Sequence, residues 1–484
     1  MRCLIRFERG IGLVVAGITL AACLSACVAS GASGSNSAIC GNGLLESSEQ
    51  CDGTALGGAD CASLGLGFTG GALACFAPPA PGACTFDTSG CHMAPTLSQV
   101  KVAVLYERIT DTEPPRTTSE MIQLFNDTHT DMIFRAGFIW DKNIVNTCND
   151  SPDPKTCDDK RASYEYFKNA IRDIKTKLPH ITVVIAISAN RISQTAYDPI
   201  TKQWMDYRDT WAMSLDPTKW GIAATSKTEA QCSYAIKQGW YDGVCANYDY
   251  PNAKGYLADI TNPAYQQLLL NSAKESIDVG ADAIWIDMFG TQAQVLVQLT
   301  GTEKHDAVVQ TLGSMSKIIS EIHTYGASKG KYIAVGSWGT SDPADILPSY
   351  KPVMAEYDFM TSTPTSSEVR SLQMNEKLWD SRINSMNEMH PGVPIFAFLD
   401  WGGGKDRPLD VFSQQLSAND QDTFLKVADE FFTRKGVKFI YPLHGGNMGK
   451  PTKKAYGSYN TYDSLAPEFD TYGTIKELAN RKNN

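Results

Sequence analysis

From about residue 97 onward, short apolar runs alternate with longer stretches of mixed polarity. The runs are KVAVLYE (101–107), MIFRAGFI (132–139), ITVVIAIS (181–188), AIWIDMF (283–289), YIAVGSW (332–338), VMAEYDFM (353–360), IFAFLDW (395–401) and VKFIYPLH (437–444). Largely continuous apolar runs of this length suit strands buried on both faces, which require a parallel sheet covered by crossover helices. The stretches between them read as those helices. In NPAYQQLLLNSAKESIDVG, Pro263 stands in the first turn, Leu268, Leu269, Ala273 and Ile277 recur at helical spacing, and Gly280 is the stop. Eight strands is the number that closes a (β/α)8 barrel, so an α/β TIM barrel is expected over residues 97–484. The competing doubly wound open sheet would call for a glycine-rich loop after its first strand, and YERITDTEPP has no glycine.

About 95 residues separate the third and fourth strands, too many for one crossover. An insertion at about 190–255 is therefore expected on the C-terminal face of the barrel, rich in Trp and Tyr. Its aromatic side chains either stack on sugar rings or form its own small core; the pattern leaves both open.

The chain begins differently. Three arginines precede an apolar run from Ile11 to Leu24, and small residues lead up to Cys27. This is expected to be an export signal over 1–26 rather than a membrane span, because the run is shorter than the ~20 residues needed to cross a bilayer. The stretch LSAC at 24–27 resembles a bacterial lipobox. That resemblance implies lipidation of Cys27, a membrane anchor and, with Val28 following, an outer-membrane location; an ordinary signal cleaved nearby would give a secreted protein. Residues 27–39 are small and polar, the composition of a flexible tether.

Thirteen cysteines are present, and ten remain beyond Cys27. An even number in an exported chain implies disulfides. Cys148–Cys157 and Cys232–Cys245 are the simple local pairs. Six others crowd into residues 40–92, where so short a glycine-rich segment needs cross-links in place of a core. The pieces CGNG, EQCDG, LGG and FDTSGC resemble a cysteine-rich repeat of exported myxobacterial proteins, which implies a spacer or surface adaptor. A zinc site is the weaker alternative to disulfides, since tight CxxC pairs are absent and the seven histidines do not cluster with the cysteines, and no metal is assigned. The formal charge of -10 argues against a nucleic-acid partner.

In a barrel of this kind the chemistry sits at the C-terminal strand ends. Those ends supply Glu107, Arg135, Asn190 with Arg191, Asp287, Ser337 with Trp338, Asp400 with Trp401, and His444. Strand six contributes Glu356 and Asp358, and its register matters. If VMAEY is the strand, Glu356 lies at the mouth; if YDFMTST is the strand, Glu356 lies at the bottom. Carboxylates converging with arginine and tryptophan suit glycosidic cleavage, in which one carboxyl donates a proton and another attacks or activates water. Asp287 is the leading catalytic candidate, with Glu356 or Asp400 as its partner. Glu107, Arg135, Asn190, Asp259, Trp338, Asp358, Trp401 and His444 are candidate substrate contacts. WGGGKDRP (401–408) keeps open a phosphate-binding alternative.

The segment GYLADITNPAYQQLLLNSAKESIDVGADAIWIDMFG, 255–290, resembles the fourth-strand region of barrel glycoside hydrolases, including alpha-galactosidase-like and polygalactosaminidase-like families. That likeness implies a nucleophilic role for Asp287, a place near the site for Asp259, and an acid/base on strand six, hence Glu356. The largest hydrolase clan instead uses strands four and seven, hence Asp400, but usually carries Asn-Glu where this chain has Ile286–Asp287. The expectation is a glycoside hydrolase acting on a poly- or oligosaccharide without a cofactor. A non-catalytic carbohydrate-binding or surface matrix protein is the alternative.

Overall fold

The computed structural model describes residues 40–46, 49–64, 68–78, 83–88, 90–93, 97–107, 109, 116–139, 164–198, 200–201, 203–222, 226–237, 241, 243–248, 255–339, 357–400, 406–448 and 461–483. Cys27, Cys148, Cys157, Glu356 and Trp401 lie outside the described residues, as do the signal and tether segments.

Eight parallel strands form the wall: β1 (Ala103–Tyr106), β2 (Met132–Phe134), β3 (Thr182–Ser188), β4 (Ala283–Asp287), β5 (Ala334–Trp338), β6 (Phe359–Ser362), β7 (Ile395–Ala397) and β8 (Lys438–Asn447). Each pairs with its successor, and β8 returns to β1, so the sheet closes on itself as the eight-strand pattern requires. Helices lie outside: α1 (Thr118–Asp127), α2 (Tyr164–Lys177), α3 (Pro263–Asp278), α4 (Thr291–Thr300), α5 (Asp306–Ser328), α6 (Glu376–Met389), α7 (Ala418–Lys435) and α8 (Tyr472–Asn483). Local chemistry sets their starts. Thr117 and Glu120 form a capping box on α1, and Asn262 caps α3 with Pro263 in its first turn.

Two layers of core separate by strand parity. Val104, Ile133, Val183, Ile185, Ile284, Ile286 and Met360 face the helices. Ala103, Leu105, Met132, Phe134, Val184, Ala186, Ala283, Trp285, Ala334, Phe359, Phe396, Phe398 and Ile440 fill the barrel, with Leu97 and Val100 joining that interior cluster. Gly336 makes room within it, since a Cβ there would lie 2.5 Å from the Phe359 ring.

Two strands depart from the sequence expectation. MIFRAGFI is not one strand. It pairs with β3 as Met132↔Thr182 but then as Phe138↔Ala186, so two extra residues bulge out where Arg135 adopts φ 61°. Strand six begins at Phe359, not at Val353. Both VMAEY and FMTS are apolar enough for a strand, and the latter is the one that ladders to β5 and β7.

Between β3 and β4 the chain forms a separate cap. Arg191–Ser193 pairs with Gly255–Leu257, Ala196–Asp198 with Gln203–Met205, and Cys232–Cys245 cross-links the helix Lys227–Lys237 to the turn after it. Several of its described aromatic side chains pack on one another, as in Trp211 against Tyr256 at 5.2 Å and Tyr241 against Tyr248 at 5.1 Å. At the other end, Cys40–Cys84, Cys51–Cys75 and Cys61–Cys91 hold the N-terminal module.

Candidate active site

Parity builds the site. The inward positions 103 and 105 continue to Glu107, 283 and 285 to Asp287, 334 and 336 to Trp338, and 396 and 398 to Asp400. Asp287 and Trp338 are the last residues of β4 and β5, Glu107 directly follows β1, and Asp400 lies three residues beyond the end of β7.

Asp287 lies at the centre of the contacts at this end of the barrel. It is 4% exposed. Its Oδ1 accepts a hydrogen bond from Trp338 Nε1 at 2.7 Å, and its Oδ2 lies 3.8 Å from the Arg135 guanidinium. That guanidinium rests over the rings of Trp285 at 4.5 Å and Phe398 at 5.3 Å, a desolvated cation–π arrangement. Burial pushes the Asp287 carboxyl above the ordinary carboxylate range. Arg135, the Trp338 N–H and the Met288 backbone oppose that push, and the negative charge of Glu107 adds to it. Met288 itself takes φ 53°, so the residues at both 135 and 288 carry a left-handed backbone that side chains disfavour.

Glu107 is buried opposite. Its Oε2 accepts the Gly446 N–H at 2.6 Å. Gly445 (φ 116°) allows this approach, because a Cβ there would lie 2.3 Å from Glu107 Cβ. His444, also buried, joins Asp463 through Nδ1 at 2.8 Å, and Asp463 in turn takes both Arg116 nitrogens at 2.6 and 2.7 Å. Burial opposes ionisation of Asp463, but His444 and Arg116 hold its carboxyl below the usual range. Asn190 accepts from the Tyr234 hydroxyl at 2.6 Å and its amide points to Met288 Sδ at 3.2 Å.

The remaining candidates divide. Asp259 is tied to the Lys219 ammonium, the Thr261 backbone and the Gln292 amide, bracing the cap against the start of α3. Trp338 offers its edge to Asp287 while its ring packs on Trp285 and Phe398. Asp400 donates its backbone N–H to Thr363 Oγ1 at 3.2 Å. Asp358 does not join the mouth. It precedes β6 at the opposite end of the barrel, where its carboxylate accepts from Val335 N and bonds His323 and Tyr332. The register of strand six explains the displacement, and Asp358 is a structural brace.

Two groups at this end escaped sequence reasoning. Ser188, paired with Asp287 across the β3–β4 ladder, has a buried hydroxyl with no hydrogen-bond partner among the described residues. Asp410 follows the β7 loop, where Leu409 N bonds Asp400 O at 3.0 Å. Burial, reinforced by Asp400 and Asp406 and opposed by Arg407, pushes its carboxyl up to about 7. Pro408 at a helix start was the only signal, and it speaks to capping rather than chemistry. A cavity of about 400 Å³ lined by Lys168, Arg172, Lys175 and Lys331 opens at the N-terminal end of the strands and shares no residue with this site.

No family model matches the chain, and no curated protein matches it in sequence. Among solved structures, it is similar to a debranching enzyme from Nostoc punctiforme, with 13% identity over 79% of this chain and 80% of that one and a TM-score of 0.44. A cyclic alpha-maltosyl-(1→6)-maltose hydrolase from Arthrobacter globiformis gives 11% identity, coverage of 79% and 83%, and a TM-score of 0.41. The glycoside hydrolase domain of PelA from Pseudomonas aeruginosa gives 11% identity, coverage of 70% and 94%, and a TM-score of 0.35. Likeness at this level assigns no activity, substrate or residue role to this chain.

Proposed function

We propose that this protein hydrolyses glycosidic bonds of a poly- or oligosaccharide outside the cell, with Asp287 as the attacking carboxylate. The observation that carries this reading is the cradle around Asp287: a buried acid at the end of β4, held by the Trp338 N–H, with the Arg135 guanidinium opposing the upward push of burial on its carboxyl. A buried carboxylate that two polar groups orient at a barrel mouth is costly as a mere strand stop and useful as a nucleophile.

In this mechanism an Asp287 oxygen bonds to the anomeric carbon as the bond to the leaving sugar oxygen breaks. A second carboxyl gives that oxygen its proton. The same group, now a base, takes a proton from water, whose oxygen displaces Asp287 and releases the sugar. Asp400 is our candidate for the second role, because it follows β7 at the same end of the barrel. Glu356, the other candidate, lies outside the described residues. Asp410, whose carboxyl is pushed up to about 7 by burial, follows the same loop as Asp400 and is an alternative donor. Glu107, Asn190, Trp401 and His444 remain candidate sugar contacts.

A second reading has one observation in its favour. Asp287 engages both Trp338 and Arg135, so the arrangement also suits a structural ion pair in a barrel that binds sugars without cleaving them. Release of reducing ends from a panel of polysaccharides separates the two. We expect turnover in the parent and a loss on the order of 10³-fold or more in Asp287→Asn, with sugar affinity retained. A parent with no turnover, or a variant as active as the parent, overturns the hydrolase reading.

A further inference from the structure

The disulfide-bonded module contains a second group of acids that plays no part in the barrel chemistry. One oxygen from each of Glu46, Glu49 and Asp52 lies within 4.8 Å of the other two. Clustered acids alone are common on surfaces, but here Glu49 and Asp52 each keep one buried oxygen without a hydrogen bond among the described residues. Asp52 is 1% exposed. Its Oδ2 accepts the backbone N–H groups of Gly41 at 2.9 Å and Asn42 at 3.0 Å. Its Oδ1 is buried and accepts no hydrogen bond among the described residues. Glu49 repeats the pattern: Oε2 accepts the Glu46 N–H at 3.2 Å, while Oε1 is buried without a hydrogen bond among the described residues. Glu46 Oε1 is held by the Asn42 amide at 2.9 Å.

A buried carboxylate oxygen that takes no hydrogen bond calls for a positive charge, since leaving it bare carries a desolvation penalty. Three hard, anionic oxygen donors on short loops match calcium, which tolerates irregular geometry and completes its shell with carbonyls and water. Magnesium fits less well, because it demands near-ideal octahedral geometry and sheds its water reluctantly. The donors are also pre-positioned. Cys40–Cys84 and Cys51–Cys75 bracket the loop, Asp52 directly follows Cys51, and the N–H groups of Gln50 and Cys51 both reach Cys84 O. So small a module has little apolar core, and a bound cation would act as one more staple.

We propose that Glu46, Glu49 and Asp52 form a calcium site that ties segment 40–46 to segment 49–52 of the cysteine-rich module. Affinity should lie in the range of extracellular calcium modules, roughly 10⁻⁴–10⁻³ M. The test is calorimetric titration of the full chain, disulfides intact and freed of metal by chelator, with calcium chloride. Saturable uptake of a single ion is expected, weakened about tenfold or more in Glu49→Gln and in Asp52→Asn and unchanged in Asp60→Asn, an exposed acid of the same module. Glu49→Gln is the decisive variant, because it leaves the Asp52 bonds to Gly41 and Asn42 in place. Absence of saturable binding in the parent, or parental affinity in both site variants, overturns the proposal. So does magnesium binding as tight as calcium, where at least about tenfold weaker binding is expected.

Discussion

Arg135 contributes its charge to the mouth from a backbone conformation that most residues avoid. Its planar guanidinium lies over Trp285 and reaches Asp287, so its cation is stabilised by a ring face as well as by a carboxylate. The charge favours ionised Asp287, whereas burial favours the protonated acid. In Arg135→Met, which keeps most of the volume, Asp287 should therefore ionise at higher pH than in the parent. The acidic limb of the pH–turnover profile is expected to move upward, with rate at neutral pH falling about tenfold for each ~1.4 kcal/mol of charge stabilisation lost. A limb that stays in place would mean Arg135 does not tune this acid. Asp287, Glu107 and Asp400 were legible as strand-end acids because each follows an apolar run. The Trp338 N–H bond, the Ser188 hydroxyl and Asp410 were not, since each depends on a partner strand or on burial that no local pattern encodes.

Elements reveal what a run of apolar residues conceals. All eight strands overlap the stretches expected of them, and seven begin within two residues of the expected start. The exception is strand six, where apolar residues on both sides of Asp358 allowed two registers and only pairing with β5 and β7 chooses one. Likewise, the two-residue bulge in MIFRAGFI leaves no mark in hydropathy, because the residues on either side of Arg135 are as apolar as in a continuous strand. The end of β8 is bound to its surroundings by charge. The strand Thr461–Asp463 runs antiparallel to β8 and sets Asp463 between His444 and Arg116. Because the folded-state carboxyl lies below its unfolded value, this contribution is present above about pH 4 and lost as pH falls through the depressed folded value. Asp463→Asn should destabilise the protein by roughly 3–5 kcal/mol in urea unfolding at pH 7, because it leaves a buried guanidinium without its partner. The deficit should narrow only in stronger acid. An equal deficit at every pH would assign the loss to packing instead.

For the whole molecule, the chain divides its means of stabilisation. The barrel relies on a closed ladder and two apolar layers, while the module ahead of it relies on three disulfides. Composition made that division readable, since cysteines crowd where apolar runs are lacking. If residues 24–27 are a lipobox, the tether at 27–39 would hold the module and barrel at a membrane surface. Labelled palmitate should then enter the protein and disappear in Cys27→Ala; label that persists would overturn the anchor.

The left-handed residues at 135 and 288 carry a consequence for anyone redesigning this scaffold. A stability-guided procedure would write glycine at both, gaining backbone ease of about 1–2 kcal/mol at each. At 135 the same edit deletes the cation beside Asp287, and at 288 it removes the thioether against Asn190. Toughness and chemistry therefore pull in opposite directions at these two positions, and a thermostable variant is better sought in the helices.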